Sequence, residues 1–255
     1  MKKIISFLYH EVTDNPDTSG FQRPGAIPYK HKVNHFLNDL DIIQYDFSTS
    51  IPVNQIENKD EDSLILTFDD GGSSALSIAN ILSSRNLVGH FFVTTSMIDD
   101  SKFLTKDEIV EIHKLGHIIG SHSHNHPSIF TDLSFEEMLN EWLESKKILE
   151  DIIGTSVISA SVPGGDMNDD TIRSASQAGL KYLFTSEPHY KPYKKHNILV
   201  IGRVCPKNTT SSSVIKAWAK GKGFLKAQFI RFCKEIIRTR LKFIYLVYVR
   251  YDEGR

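Results

Sequence analysis

Seven short apolar runs punctuate the chain: IISFLYH (4–10), SLILTF (63–68), GHFFVTT (89–95), HIIGS (117–121), SVISASV (156–162), YLFTS (182–186) and ILVIGRV (198–204). Runs of this length, rich in Val, Ile and Phe, read as buried strands of a parallel sheet. Between them lie stretches in which apolar residues recur every three or four positions, the mark of helices packed on one face. Two of these helices announce their first turns. Thr105-x-x-Glu108 and Ser134-x-x-Glu137 are capping boxes, in which the hydroxyl and the carboxylate satisfy each other's free backbone donors. The second opens the strongest helix, with Phe135, Met138, Leu139, Trp142, Leu149, Ile152 and Ile153 on the 3.6-residue period and Gly154 as its stop. A further helix is predicted from about Asp170 to Gly179.

Alternating strands and helices predict an α/β fold, and the 255-residue length suits a single barrel-like domain. The polar stretch KNTTSSS (207–213) is the one linker candidate, dividing residues 1–210 from a tail at 211–255. The formal charge is −1, which offers no overall attraction to nucleic acid, but the average conceals two opposed parts. From Val214 onward six Lys and five Arg face three acids, a local net of +8, which leaves −9 for residues 1–213. Cys205 and Cys233 fit no CxxC spacing and read as free thiols, so a reducing, cytoplasmic setting is the default. The N-terminal MKKIISFLYHEV has a basic start but no cleavage site, and reads as the first strand.

In α/β sheets and barrels the chemistry gathers at the carboxyl ends of the strands, and the unusual residues of this chain fall there. Asp69-Asp70 follows SLILTF, His122 and His126 follow HIIGS, Pro163-Gly164-Gly165 follows SVISASV, and His10 ends the first run. Adjacent carboxylates after an extended strand point in different directions, so one can ligate a cation while the other stays free as a base. Alone, the pair is equally an Asp-rich turn with a helix cap. His122 and His126, four apart, can reach one ion from one side, with Asp70 as a third ligand; two imidazoles, a carboxylate and an open position suit a catalytic zinc or similar divalent ion. His124 would point elsewhere. A second HxxxH pair, His113 and His117, sits where an ordinary helix gives way to a strand and is read as structural.

TFDDG (67–71), GHIIGSHSHNHP (116–127) and SVPGG (161–165), taken in order, resemble the first three motifs of the polysaccharide deacetylase family, carbohydrate esterases with a NodB-type homology domain. The resemblance runs from Ser63 to about Pro188. It implies a distorted (β/α) barrel of about seven parallel strands. It also implies Asp69 as general base, Asp70, His122 and His126 as ligands of a divalent metal, most simply zinc, and an oxyanion site at Pro163, Gly164 and Gly165 near the backbone of Gly164. The reaction implied is hydrolytic removal of acetyl groups from N-acetylated sugars of a polysaccharide or lipid-linked glycan. An O-acetyl esterase and a catalytically inactive glycan-binding protein are the alternatives.

Two departures mark the chain. The third motif has Ser161 where the family places an Arg and Gly164 where it places an aromatic, so another group must orient the base; Arg203, ending a later strand, is the candidate. The late Leu-x-His motif, whose histidine protonates the leaving amine, is not found after residue 186, where His189 and His196 lie in a Lys/Pro/Tyr-rich loop. FLYHEV (7–12) resembles instead the start of a surface-polysaccharide N-deacetylase subgroup in which that motif is permuted to the N-terminus, which implies His10 as general acid. A structural histidine at a strand end is the other reading. Phe36 and Leu37 fit the same subgroup, and His31 and His35 are expected on a helix surface.

The stretch 224–249 mixes cationic and apolar residues at helical spacing, with an apolar run far too short to span a bilayer. A helix packed on the barrel, a helix lying on an anionic membrane surface, and a contact with a partner all remain open.

Overall fold

The computed structural model describes residues 2–58, 60–225 and 227–229. All seven apolar runs become strands of one sheet: β1 (Ile4–Tyr9), β4 (Ser63–Phe68), β5 (Gly89–Val93), β6 (Ile118–Ser121), β7 (Ser159–Ser161), β8 (Tyr182–Phe184) and β10 (Ile198–Ile201). They pair in parallel in the order β1-β4-β5-β6-β7-β8-β10. The sheet then curls until its two ends meet: Leu8 N–H donates to Val204 O (2.8 Å) and Val204 N–H to Ser6 O (2.9 Å). One short strand, β9 (Tyr193–Lys195), runs antiparallel along β10. Its side chains are exposed, so no apolar alternation marked it in the sequence. A two-residue pair, β2 (Glu11–Val12) and β3 (Lys30–His31), lies outside the main sheet.

Among the described residues six α-helices cover the outside: α1 (Val33–Asp46), α2 (Ala75–Ser84), α3 (Lys106–Lys114), α4 (Phe135–Ile153), α5 (Asp169–Gln177) and α6 (Ser212–Ala219). Both capping boxes form, and Gly154 ends α4 in the left-handed conformation (φ 68°) that glycine adopts without Cβ strain. On α4 the fully buried Trp142 donates its indole N–H to Ser174 Oγ (3.2 Å). That bond ties α4 to α5 and pairs the one polar atom of the indole. α6 packs on α1 and sends Ile215 and Ala219 into the main core.

Residues alternate between the two faces of each strand, and this parity decides what reaches the barrel interior. Ile5, Phe7, Leu64, Leu66, Phe68, Phe91 and Val93 share the core beneath the helices, whereas Ile4, Ile65, Phe92, Phe184 and Ile201 form a separate inner cluster. Extending the inner parity by steps of two leads from Ile65 to Thr67 and Asp69, and from Ile201 to Arg203. Ser161, two residues from Ser159, and His122, two from Gly120, continue the same inner face. The sequence therefore sends a carboxylate, a guanidinium, a hydroxyl and an imidazole to one end of one cavity.

Two expectations fall elsewhere. His31 is not on a helix surface: pairing of β3 with β2 draws it inward, where it is 2% exposed and its Nε2 meets Pro206 O at 3.2 Å. His35 does lie exposed on α1. The amphipathic stretch 224–249 and Cys233 fall almost wholly outside the described residues, among which no helix is long and apolar enough to cross a membrane.

Candidate active site

The two aspartates that end β4 part company at the strand end. Asp69 keeps the inward direction. Asp70 takes a left-handed backbone (φ 75°), followed by Gly71 (φ 77°), a conformation that costs a non-glycine residue energy and gathers at functional sites. The turn aims the second carboxylate at a different set of partners from the first.

Asp69 is held by a buried clamp. Arg203 Nη1 donates to Oδ1 (2.8 Å) and Nη2 to Oδ2 (2.9 Å), and the Ser161 hydroxyl donates to Oδ2 (2.8 Å). The guanidinium is fixed in turn by Thr185 O, Thr67 Oγ1 and Ser161 Oγ and is 1% exposed. Burial pushes the Asp69 carboxyl up, but the charges of Arg203 and His122 outweigh it and hold it below the usual carboxylate range. Ser161 therefore does not leave a gap where the family motif has an arginine. An arginine arrives instead from the end of β10, two strands along the sheet, and donates to the Ser161 hydroxyl as well as to Asp69.

Asp70 faces two imidazoles. Its Oδ1 lies 3.3 Å from His122 Nε2 and 3.5 Å from His126 Nε2, and one ligand atom from each of the three side chains falls within 4.8 Å of the other two. His122 Nδ1–H donates to Ser161 O (2.9 Å), which fixes the ring with Nε2 facing Asp70. Two imidazole nitrogens and an anionic oxygen converge in a buried space, where a proton on His122, whose pKa the facing carboxylates raise against its burial, or a cation between the three groups holds them together. Asp70 Oδ1 is buried with no hydrogen-bond partner among the described residues. This donor set fits a divalent ion. Burial raises the Asp70 carboxyl, yet the facing His122, His10 and His126 hold it far below its ordinary value. Burial and then the His122 charge push His126 down to about 3, so it is neutral and able to ligate.

His124 and His117 lie where the sequence placed them, outside the cluster. His124 turns away, to Thr95 Oγ1 (2.9 Å) and Glu144 (3.4 Å). His117 bonds Ala79 O, Ser83 Oγ and Gly89 N within the fold. His10 leaves β1 at the same end as the aspartates. Burial lowers its pKa while Asp70 and Asp69 oppose that, so its ring sits in the field of the site, and its Nδ1 is buried without a partner among the described residues. After β7, Gly164 is exposed in a left-handed turn (φ 66°), and Gly165 N–H is already used by Val162 O (2.9 Å).

Glu11 escaped the sequence reading. The carboxylate next to His10 is 2% exposed, accepts hydrogen bonds from the hydroxyls of Ser19 and Ser74, and fills the space where Gly72 lacks a side chain. Burial raises it to about 7 despite those hydroxyls. It joins the start of the chain to the turn after Asp70. The signal available beforehand was the second glycine of TFDDGG, which only a close neighbour requires.

Comparison with known proteins bears on the same region. The family model for polysaccharide deacetylases matches residues 56–183, half of the chain. The chain belongs to the polysaccharide deacetylase family. Within it, the chain is 31% identical over 178 residues to a peptidoglycan-N-acetylglucosamine deacetylase, PgdA, of Listeria monocytogenes, covering 68% of this chain and 36% of that protein. It is 25% identical over 140 residues to YxkH of Bacillus subtilis, named a putative polysaccharide deacetylase, covering 54% and 50%. The chain thus spans about a third to a half of the length of these curated relatives. Its fold resembles that of IcaB from Ammonifex degensii (TM-score 0.70, 17% identity, 86% of this chain and 98% of that one). It also resembles that of the Streptococcus pyogenes deacetylase PplD (0.69, 19%, 83% and 95%). The family match contains Asp69, Asp70, His122, His126 and Ser161. His10, Glu11 and Arg203, which complete the arrangement, lie outside it.

Proposed function

We propose that the chain is a divalent-metal-dependent hydrolase that removes acetyl groups from N-acetylated sugars of a polysaccharide or lipid-linked glycan. The observation that carries this reading is the division of labour between neighbouring aspartates: Asp70 faces two imidazole nitrogens while Asp69, clamped by Arg203 and Ser161, is kept ionised beside them. An ion held by Asp70, His122 and His126, for which zinc is the best match to the donor set, would supply Lewis-acid polarisation of the acyl oxygen and acidify a water. Asp69 would take a proton from the attacking water, its direction set by Arg203. The new C–O bond gives acetate, the C–N bond breaks, and His10, once it has taken up a proton, would give it to the departing nitrogen. The Gly164 turn would place backbone N–H beside the developing oxyanion.

The same apparatus can cleave O-acetyl esters, and release of acetate from acetylated xylan but not from acetylated chito-oligosaccharides would favour that reading. An inactive glycan-binding protein is disfavoured, because such a protein has no use for a buried, clamped base. The decisive variant is Asp69→Asn, with bound metal and acetate release measured together. It should keep its metal and lose acetate release by about 100- to 10,000-fold, and equal rates in variant and wild type would remove Asp69 as the base.

A further inference from the structure

The family match stops at residue 56 on one side and 183 on the other, yet the rim of the site is built from residues beyond both limits. Phe21 lies against His126 (ring centroids 5.0 Å apart), and the Arg23 guanidinium sits 4.8 Å from the centre of the Phe21 ring. Tyr29 lies against His10 (5.1 Å), and Lys207 Nζ stands 5.6 Å from the centre of the Tyr29 ring. Each candidate site histidine outside the barrel interior therefore carries an aromatic ring, and each ring carries a cation. Phe21, Arg23 and Tyr29 belong to the segment between β2 and β3, and Asn208 pins that segment to the Lys207 loop by bonds to Pro28 O and Ile27 O. The two stacks are thus parts of one connected rim.

Neither cation has an acidic partner at ion-pair distance among the described residues, whereas Arg85, Arg173 and Lys195 pair with Asp41, Asp170 and Asp169. A cation over an aromatic face is held in place while its charge stays uncompensated. In a stretch that is −9 over residues 1–213, two such uncompensated cations at one rim form a local reversal of sign. Rings beside cations offer a sugar an apolar face to stack on and an anion a partner in the same contact.

We propose that Arg23 and Lys207 select an N-acetylated sugar that carries, or is linked to, an anionic group, a carboxylate or a phosphate, over a neutral glycan. This rests on the deacetylase reading of the preceding section and adds to it the charge of the substrate. Acetate release should be followed for three probes: an N-acetylglucosamine tetramer, a tetrasaccharide alternating N-acetylglucosamine with the carboxylate-bearing N-acetylmuramic acid, and a phosphodiester-linked N-acetylglucosamine. Binding of the same probes to the metal-loaded Asp69→Asn protein should be followed by calorimetry. One of the anionic probes, which thereby names its source, should exceed the neutral one about tenfold or more in kcat/KM and in affinity at about 0.05 M salt, and the preference should shrink at about 0.5 M salt. It should fall below about threefold in the R23Q/K207Q double variant and be largely retained in R23K, since charge is what is read. Equal handling of all three probes, or a preference unaltered in the double variant, overturns the proposal. Acetate release from none of them overturns the deacetylase reading instead, and calorimetry still decides the charge preference.

Discussion

Arg203 meets Asp69 through both terminal nitrogens, at 2.8 and 2.9 Å, although 134 residues separate them. The two strand ends face each other because the sheet closes between β1 and the chain just after β10. A planar fork gripping both carboxylate oxygens fixes direction as well as charge, and lysine, a point donor, cannot reproduce it. Arg203→Lys should lower kcat by about 10- to 100-fold with a smaller change in KM. Since the guanidinium holds the Asp69 carboxyl down, its replacement should also move the acid limb of the pH–rate profile to higher pH. A variant with the wild-type acid limb would show that Arg203 does not govern Asp69.

Asp70, His122 and His126 form the one Asp/His cluster of metal-ligand geometry among the described residues. Purified protein should contain about one divalent ion per chain, and chelation should abolish acetate release until metal is restored. The His122→Ala, His126→Ala double variant should lose the ion. Elemental analysis showing undiminished metal in that variant would place the ion elsewhere.

Gly72 has no room for a side chain, because the Glu11 carboxylate occupies the direction a Cβ would take. Gly72→Ala should cost about 1–3 kcal/mol by overpacking, read as a fall in melting temperature of several degrees. The same substitution should cost less in a Glu11→Ala background, where the obstructing carboxylate is gone. Additive costs in the two backgrounds would contradict the contact.

His90 is fully buried and uses both ring nitrogens: Nδ1–H donates to Leu66 O (3.1 Å), and Nε2 accepts from Val53 N–H (2.9 Å). Only the neutral ring can do both, and burial pushes its pKa down to about 4 from 6.5. The folded state binds the proton less tightly than the unfolded chain. Its contribution is therefore fully present above 6.5 and lost as pH falls toward 4, on the order of 3 kcal/mol in all. Denaturant titrations at pH 7 and pH 4.5 should show the loss, and NMR should find the His90 ring neutral until about pH 4. Titration near 6.5 would refute it.

The strands, α4 with its caps, and the residues of the candidate Asp-His-His cluster were legible because each is written over a short stretch. Period-two and period-3.6 patterns are local, and His122, His126 and the Asp69-Asp70 pair sit within a few residues of one another or at a marked strand end. β9 and the β2–β3 pair were not legible, since exposed or two-residue strands leave no apolar rhythm. His31 went to the interior for the same reason: a bridge to Glu11–Val12, absent from any local pattern, outweighed its neighbourhood before α1.

The sequence by itself determined the fold class, the end of the strands at which the chemistry gathers, and the three side chains suited to one ion, because strand parity and motif spacing act over a few residues. Only the tertiary structure decided that Arg203 takes the place left by Ser161, that Glu11 lies under Gly72, and that Arg23 and Lys207 sit over the rings that lie against His126 and His10. Each of these depends on which residues of distant strands and loops share one space, and separation along the chain carries no information about that distance until the barrel has closed.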